Sequence, residues 1–184
     1  MSKFTIYDLD TAPPESKALL EASKKKFGRV PTMHGIMAEA PGLLEGYQVL
    51  HGLFEATSFN ADEITVVWQS INVEHECTYC VPGHTLIANA MGVSAEISDA
   101  LRNETPLPTP RLEALRDFTL AMVRARGDVD DSVLQDFFDA GFTKRQAMEV
   151  ILGISQKVIS NYLNHIADTP VTGALANFAW EKRR

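Results

Sequence analysis

From Pro14 onward, the apolar residues of this chain recur at helical spacing, and no two segments alternate as paired strands would. Proline, glycine and capping residues cut this pattern into pieces. Pro13 and Pro14 suit the entry to a helix that closes near Phe27 and Gly28, after an extended opening. Pro31 and Pro41 punctuate two further helices, the second carrying Leu43, Leu44, Tyr47, Leu50, His51 and Phe54. Asn60 and Glu63 have the spacing of a capping box before Ile64, Val67, Trp68 and Ile71. Pro82 forces a break near Cys77 and a new helix start at about Tyr79 to Val81, running to Met91 and Gly92.

Ser94 can cap a short helix to Asn103, and the proline-rich 106–110 stretch reads as a linker. Leu112, Leu115, Phe118 and Met122 mark the next helix, closed by Gly127. A short helix over Ser132 to Ala140 stops at Gly141. Thr143 and Gln146 form a second capping box. The long helix they open has an apparent core face of Ala147, Val150, Ile151, Ile154, Val158, Tyr162 and Ile166. The reading is an all-α bundle in one domain spanning 1–184. Residues 1–30 form an N-terminal extension, and 60–104 hold the chemistry.

With 45% apolar residues among 184, the chain has enough to build a core without metals or staples. Its net charge of −7 argues against nucleic acid and against an anionic membrane surface. No apolar run approaches the roughly 18–20 residues of a membrane span. The first ten residues do not read as a signal peptide, so the expected location is cytoplasmic. In a reducing compartment, two cysteines three positions apart read as redox or metal chemistry rather than as a structural staple.

Those cysteines lie in Glu76-Cys77-Thr78-Tyr79-Cys80-Val81-Pro82-Gly83-His84. On a helix, Cys77, Cys80 and His84 share one face at i, i+3 and i+7. Pro82 places Cys80 in or beside the first turn, where free N–H groups and the dipole favour an anion. An ordinary thiol pKa of about 8.5 falls to roughly 3.5–7.5 in such positions. His84 can take the thiol proton or, when charged, stabilise the thiolate. A buried inert pair is one alternative. A zinc site completed by His75 or His51 is another, although only three ligands are local. Haem attachment would need His where Val81 stands.

The run from Glu74 to Ala90, with C-x2-C-x3-H followed by Thr85, Leu86 and Ala88, resembles the carboxymuconolactone decarboxylase superfamily, and within it the alkylhydroperoxidase D-like, peroxidase-related branch. Val73-Glu74-His75-Glu76-Cys77, Ala140-Gly141-Phe142 and Asn161-Tyr162-Leu163-Asn164-His165 extend the resemblance. It implies an all-α fold that assembles as trimers or hexamers. It also implies reduction of hydroperoxides by thiols, with no cofactor or metal and with an external dithiol, of lipoyl or thioredoxin type, as reductant. Carried over by position, Cys80 becomes the peroxidatic thiolate, Cys77 the resolver and His84 the proton carrier. Absence of the cysteine pair from the decarboxylase branch proper counts against lactone decarboxylation. A non-enzymatic redox sensor is the rival reading, and a zinc module comes third.

Two positions depart from the family pattern. Thr65 stands where better-described members carry a relay glutamate, so Glu74 is the expected substitute and Glu63, already wanted as a cap, the weaker one. Tyr79 replaces a histidine before the second cysteine. His51 reads as a core or interface histidine before a pocket residue, and His75 as an exposed neighbour of the motif. Asn161 and His165 could line a pocket or bridge helices. Trp68 and Trp180 read as anchors. The triplet Lys24-Lys25-Lys26 and the basic end Lys182-Arg183-Arg184 read as solvated, the latter also suiting a helix C-terminus.

Overall fold

The computed structural model describes residues 2–182, so Arg183 and Arg184 of the basic end lie outside the described residues. Among those residues there are nine α-helices and no strand. In order they are α1 (Pro14–Phe27), α2 (Thr32–Met37), α3 (Pro41–Glu55), α4 (Ala61–Glu74), α5 (Cys80–Ala90), α6 (Ala95–Asn103), α7 (Pro110–Ala125), α8 (Asp131–Asp139) and α9 (Lys144–Ala167). A 3-10 turn over Gly173–Phe178 follows. None of these helices is long and apolar enough to cross a membrane.

Local chemistry sets the boundaries. Pro14 opens α1, whose missing N–H costs nothing there, and Gly28 closes it in the left-handed region at φ 72°. Asn60 and Glu63 close a capping box on α4, and Thr143 and Gln146 close another on α9. The end of α4 is less ordinary. Glu76 takes φ 53°, and the N–H groups of Glu76 and Cys77 bond the carbonyls of Val73 and Asn72. These are the paired bonds of a Schellman motif, with a glutamate where glycine is usual. The motif turns the chain sharply and delivers Cys77 to the base of α5.

Two apolar clusters share the interior. The larger joins α4 to α6, α7 and α8 through Trp68, Ile71, Leu101, Leu115, Phe118 and Phe137. The smaller packs Leu20, Met33, Ile36, Met37 and Leu44 around Cys77 and Cys80. The N-terminal segment is therefore part of the wall beside the cysteines, not an appendage.

Helix α9 runs between the clusters and corrects the expectation for its face. Of the seven residues expected to face the core only Val150 is buried, while Ile151, Tyr162 and Ile166 are at least half exposed. The buried stripe is instead Gly153, Gln156, Lys157, Ser160, Asn161 and Asn164. Gly153 makes this approach possible, because a Cβ there would stand 2.7 Å from the Phe54 ring and 3.0 Å from Val67. The helix thus turns its polar side inward.

Candidate active site

Helix α5 begins at Cys80, with Pro82 in its first turn. The Cys80 N–H donates to Sγ of Cys77 at 3.2 Å, so the first residue of the helix is capped by the other thiol. Both sulfurs are free and buried. A chain of buried amides holds this turn in place. Gln69 donates to the Val81 carbonyl and to Thr85 Oγ1, Asn72 donates to Gln69, and Asn161 donates to Asn72. Asn161 Oδ1 in turn lies 2.9 Å from Nδ1 of His75. His75 is consequently half-buried and engaged rather than an exposed neighbour of the motif. His165 lies 2.7 Å from the His75 carbonyl, outside the cavity. Asn161 takes the bridging role of the two offered by its sequence position.

The polar stripe of α9 meets the motif. Asn164 Nδ2 donates to Sγ of Cys80 at 3.2 Å, and Nζ of the wholly buried Lys157 stands 2.8 Å from Nε2 of His84. An ammonium can only donate, so Nε2 is the bare nitrogen of that ring and Nδ1 carries the proton. Burial tends to push the Cys80 thiol up. A hydrogen bond from Cys77, the charge of Lys157 and the amide of Asn164 outweigh it and pull the group down to about 5. Cys77 moves the other way, raised by its bond to Cys80 and by burial. One thiolate and one thiol is the stable pairing, with the charge on Cys80. Burial, then the charge of Lys157, hold His84 well below the usual imidazole value, so it is neutral.

A cavity of about 160 Å³ opens against Cys80, His84 and Lys157. Phe27, Met33, Tyr47, Tyr79, Leu86 and Ile87 line it, mostly with apolar surface. An apolar space near this size holds a benzene-sized ring. His51 lines it too, while stacking on Trp68 at 5.1 Å between ring centroids, so it serves both of the roles open to it. The Tyr79 hydroxyl, at the position of the missing histidine, accepts from the Met33 N–H at 3.4 Å.

Glu74 is not brought to this cavity. Both its oxygens accept from Arg124 at 2.7 Å, and it is not among the residues that line the cavity. Glu63 is held by Arg111 and by its capping box, and Thr65 is buried in α4. Among the described residues no three His, Cys, Asp or Glu side chains are grouped to hold a metal ion. Lys157 carried no motif signal, and Asn164 stood only within the Asn161–His165 run of the resemblance, with no role assigned. The trace of Lys157 in the sequence is a polar stripe that interrupts the apolar residues of α9.

No protein-family model and no curated protein matches the sequence. Solved structures do match. The alkylhydroperoxidase AhpD core of an uncharacterized peroxidase-related protein from Ralstonia eutropha JMP134 superposes with a TM-score of 0.83 at 18% identity, covering 95% of this chain and 94% of that one. This chain has the AhpD-like fold. A second structure with the AhpD-like arrangement is an uncharacterized peroxidase-related protein from Silicibacter sp. TM1040, with a TM-score of 0.75 at 18% identity over 91% and 92% of the two chains. The debrominase Bmp8, solved as a cysteine-to-alanine variant with 2,3,4-tribromopyrrole, has a TM-score of 0.75 at 16% identity over 89% of each chain. At these identities the AhpD-like likeness carries the carboxymuconolactone decarboxylase type of fold and nothing about the reaction.

Proposed function

We propose that this protein is a thiol-dependent peroxidase or disulfide reductase working through Cys80 and Cys77. The observation that carries the reading is the placement of Cys80 at a helix start, facing Lys157 and Asn164, with Cys77 directly behind it. A thiolate so placed attacks the outer oxygen of a hydroperoxide, releasing an alcohol and becoming a sulfenic acid. Cys77 then condenses with it, water leaves, and an external dithiol reduces the resulting disulfide. The reductant is a small dithiol or a lipoyl- or thioredoxin-type carrier.

Hydroperoxide consumption with an excess of dithiol tests this. Wild type should turn over many times and Cys80→Ser not at all, and without dithiol Cys77→Ser should consume one equivalent and stop at the Cys80 sulfenic acid, where wild type stops at the disulfide. Disulfide formation without turnover would favour a redox sensor, and stoichiometric metal in the purified protein a zinc module.

The apolar, ring-sized cavity supports a second reading, given what Bmp8 is named for. The same dithiol would replace an aryl C–Br bond by C–H, releasing bromide and a proton and leaving the disulfide. Bromide release from a brominated pyrrole in the same assay separates the two.

A further inference from the structure

Lys157 is a cation in a place where cations are expensive. Its side chain is fully buried, and an isolated buried ammonium costs several kcal/mol unless something offsets it. The charged or titratable groups facing it are few. Cys77 and Cys80 approach from the motif turn, His84 from α5 and His51 from α3. The two imidazoles are neutral bases that offer no negative charge, and no ion pair among the described residues reaches Lys157. Only the Cys80 thiolate balances it, and a disulfide has no charge to give.

We propose that Lys157 changes protonation with the state of the cysteines: an ammonium while Cys80 is a thiolate, a neutral amine once Cys77 and Cys80 are joined. The proposal rests on the dithiol–disulfide reading above and assigns the travelling proton to lysine instead of histidine. Burial already draws the Lys157 ammonium below its usual value, and the two cysteines are what hold it up. Buried lysines that lose their proton near pH 5–6 are known.

The steps balance. When the Cys80 sulfur takes the outer oxygen of a hydroperoxide with its hydrogen, the O–O bond breaks and the departing alkoxide takes a proton from Lys157. The S–OH of Cys80 and the S–H of Cys77 then give the S–S bond and water. In the return half, the neutral Lys157 amine accepts one proton of the external dithiol, whose thiolate attacks the disulfide. The second thiol of that reductant closes its own disulfide. Cys77 regains its proton, Cys80 leaves as a thiolate, and Lys157 is again charged. His84, its Nε2 facing Lys157, holds the amine in register and keeps its own proton on Nδ1.

Protons counted during reduction decide the matter. Wild type is oxidised, then reduced with dithiothreitol in weak buffer at pH 7, while thiolate absorbance near 240 nm is followed. Each dithiothreitol gives up two protons on cyclising. The protein should retain both, on Cys77 and Lys157, so thiolate absorbance should rise with no net proton release. Thiolate formation with one proton released per disulfide would mean a permanently charged lysine and overturn the proposal. No thiolate with no release would mean a neutral Cys80 and overturn it equally. Arginine cannot shed its proton, so Lys157→Arg should keep the thiolate and release one proton; no release from that variant also counts against the proposal. The wild-type count decides even where the variant fails to fold. Peroxide turnover is scored separately, so an inactive protein with the expected count refutes the peroxidase reading alone.

Discussion

Nζ of Lys157 stands 2.8 Å from Nε2 of His84, and the two residues are 73 positions apart in the chain. Burial, reinforced by this pairing, keeps His84 neutral, and Lys157 gives Cys80 a counter-charge, so the reactivity of the thiol depends on α9 as well as on its own helix.

Alkylation should report this directly. The Cys80 group is pulled down to about 5, so its rate with iodoacetamide should be nearly flat from pH 6.5 to 8. An ordinary thiol would still be climbing there. Lys157→Met should move the midpoint up, leaving the rate at pH 7 little changed until the pKa passes 7 and lowering it by roughly tenfold for each further unit. Peptide mass mapping should find Cys77 unlabelled at neutral pH. Equal labelling of both cysteines would remove the thiolate from Cys80.

Acid should unfold the protein earlier than its charge suggests. His34, His51 and His84 are all buried, and burial lowers each below its free value, His34 to about 3. For His51, the carboxylate of Glu55 partly opposes that shift. The folded values are depressed, so this stabilising contribution is full above about 6.5 and is lost as pH falls toward the folded values. Each ring accounts for up to about 1.4 kcal/mol per pH unit in that window. Tm should therefore fall between pH 7 and 5, and His34→Gln should make the fall shallower. A variant with an unchanged slope would show that His34 takes up its proton in place.

Glu74→Gln should change turnover less than twofold. Its carboxylate is engaged by Arg124 and does not line the cavity beside Cys80. A partly exposed pair of this kind contributes about 0–1 kcal/mol, which a melting curve can bound. A tenfold loss of kcat with unchanged stability would restore Glu74 as a relay.

Glu76→Gly should stabilise the fold. A non-glycine residue in the left-handed region costs about 1–2 kcal/mol, and glycine returns part of that through its greater freedom when unfolded. The net gain should be about 1 kcal/mol, or roughly 2–4 °C in Tm for a chain of this size. A lower Tm would mean that the glutamate side chain contributes more than its backbone costs.

Self-association should occur through the outer side of α9. Met148, Ile151, Tyr162 and Ile166 form an exposed apolar stripe there, the surface on which the expected trimer or hexamer would be built. A second copy should cover well over roughly 1,000 Å². Light scattering should give a multiple of the chain mass, and Ile151→Asp should lower it. A monomer at micromolar concentration would leave the stripe without this partner.

The fold was legible because its boundaries are written locally. Pro14, Asn60 with Glu63, Ser94, and Thr143 with Gln146 each act within four residues, and each delimits the helix it was expected to delimit. The cysteine turn was equally local, α5 starting inside the expected Tyr79–Val81 window. The orientation of α9 was not legible. Periodicity counts apolar residues and assumes that they face inward, but here the inward face is Gln156, Lys157, Ser160, Asn161 and Asn164. Burying Asn161, Lys157 and Asn164 is favourable only once Asn72, His84 and Cys80 are in place, and the latter two lie 73 and 84 positions away. No local rule reports a partner so distant. Glu74 misled for a related reason, because proximity to Cys77 in sequence says nothing about Arg124, 50 residues on.

The packing of α9 sets the order in which the site can be completed. Ser2 Oγ and the Lys3 N–H both donate to the carbonyl of Ala167, across 165 residues in the first case. During synthesis the first helices leave the ribosome long before α9 exists to receive them. Until α9 packs against the motif, Cys77 and Cys80 lack both Asn164 and Lys157, and so lack the environment that makes one of them acidic. A nascent chain therefore carries two ordinary thiols, open to stray oxidants but slow to react, and the site becomes reactive only once α9 is in place.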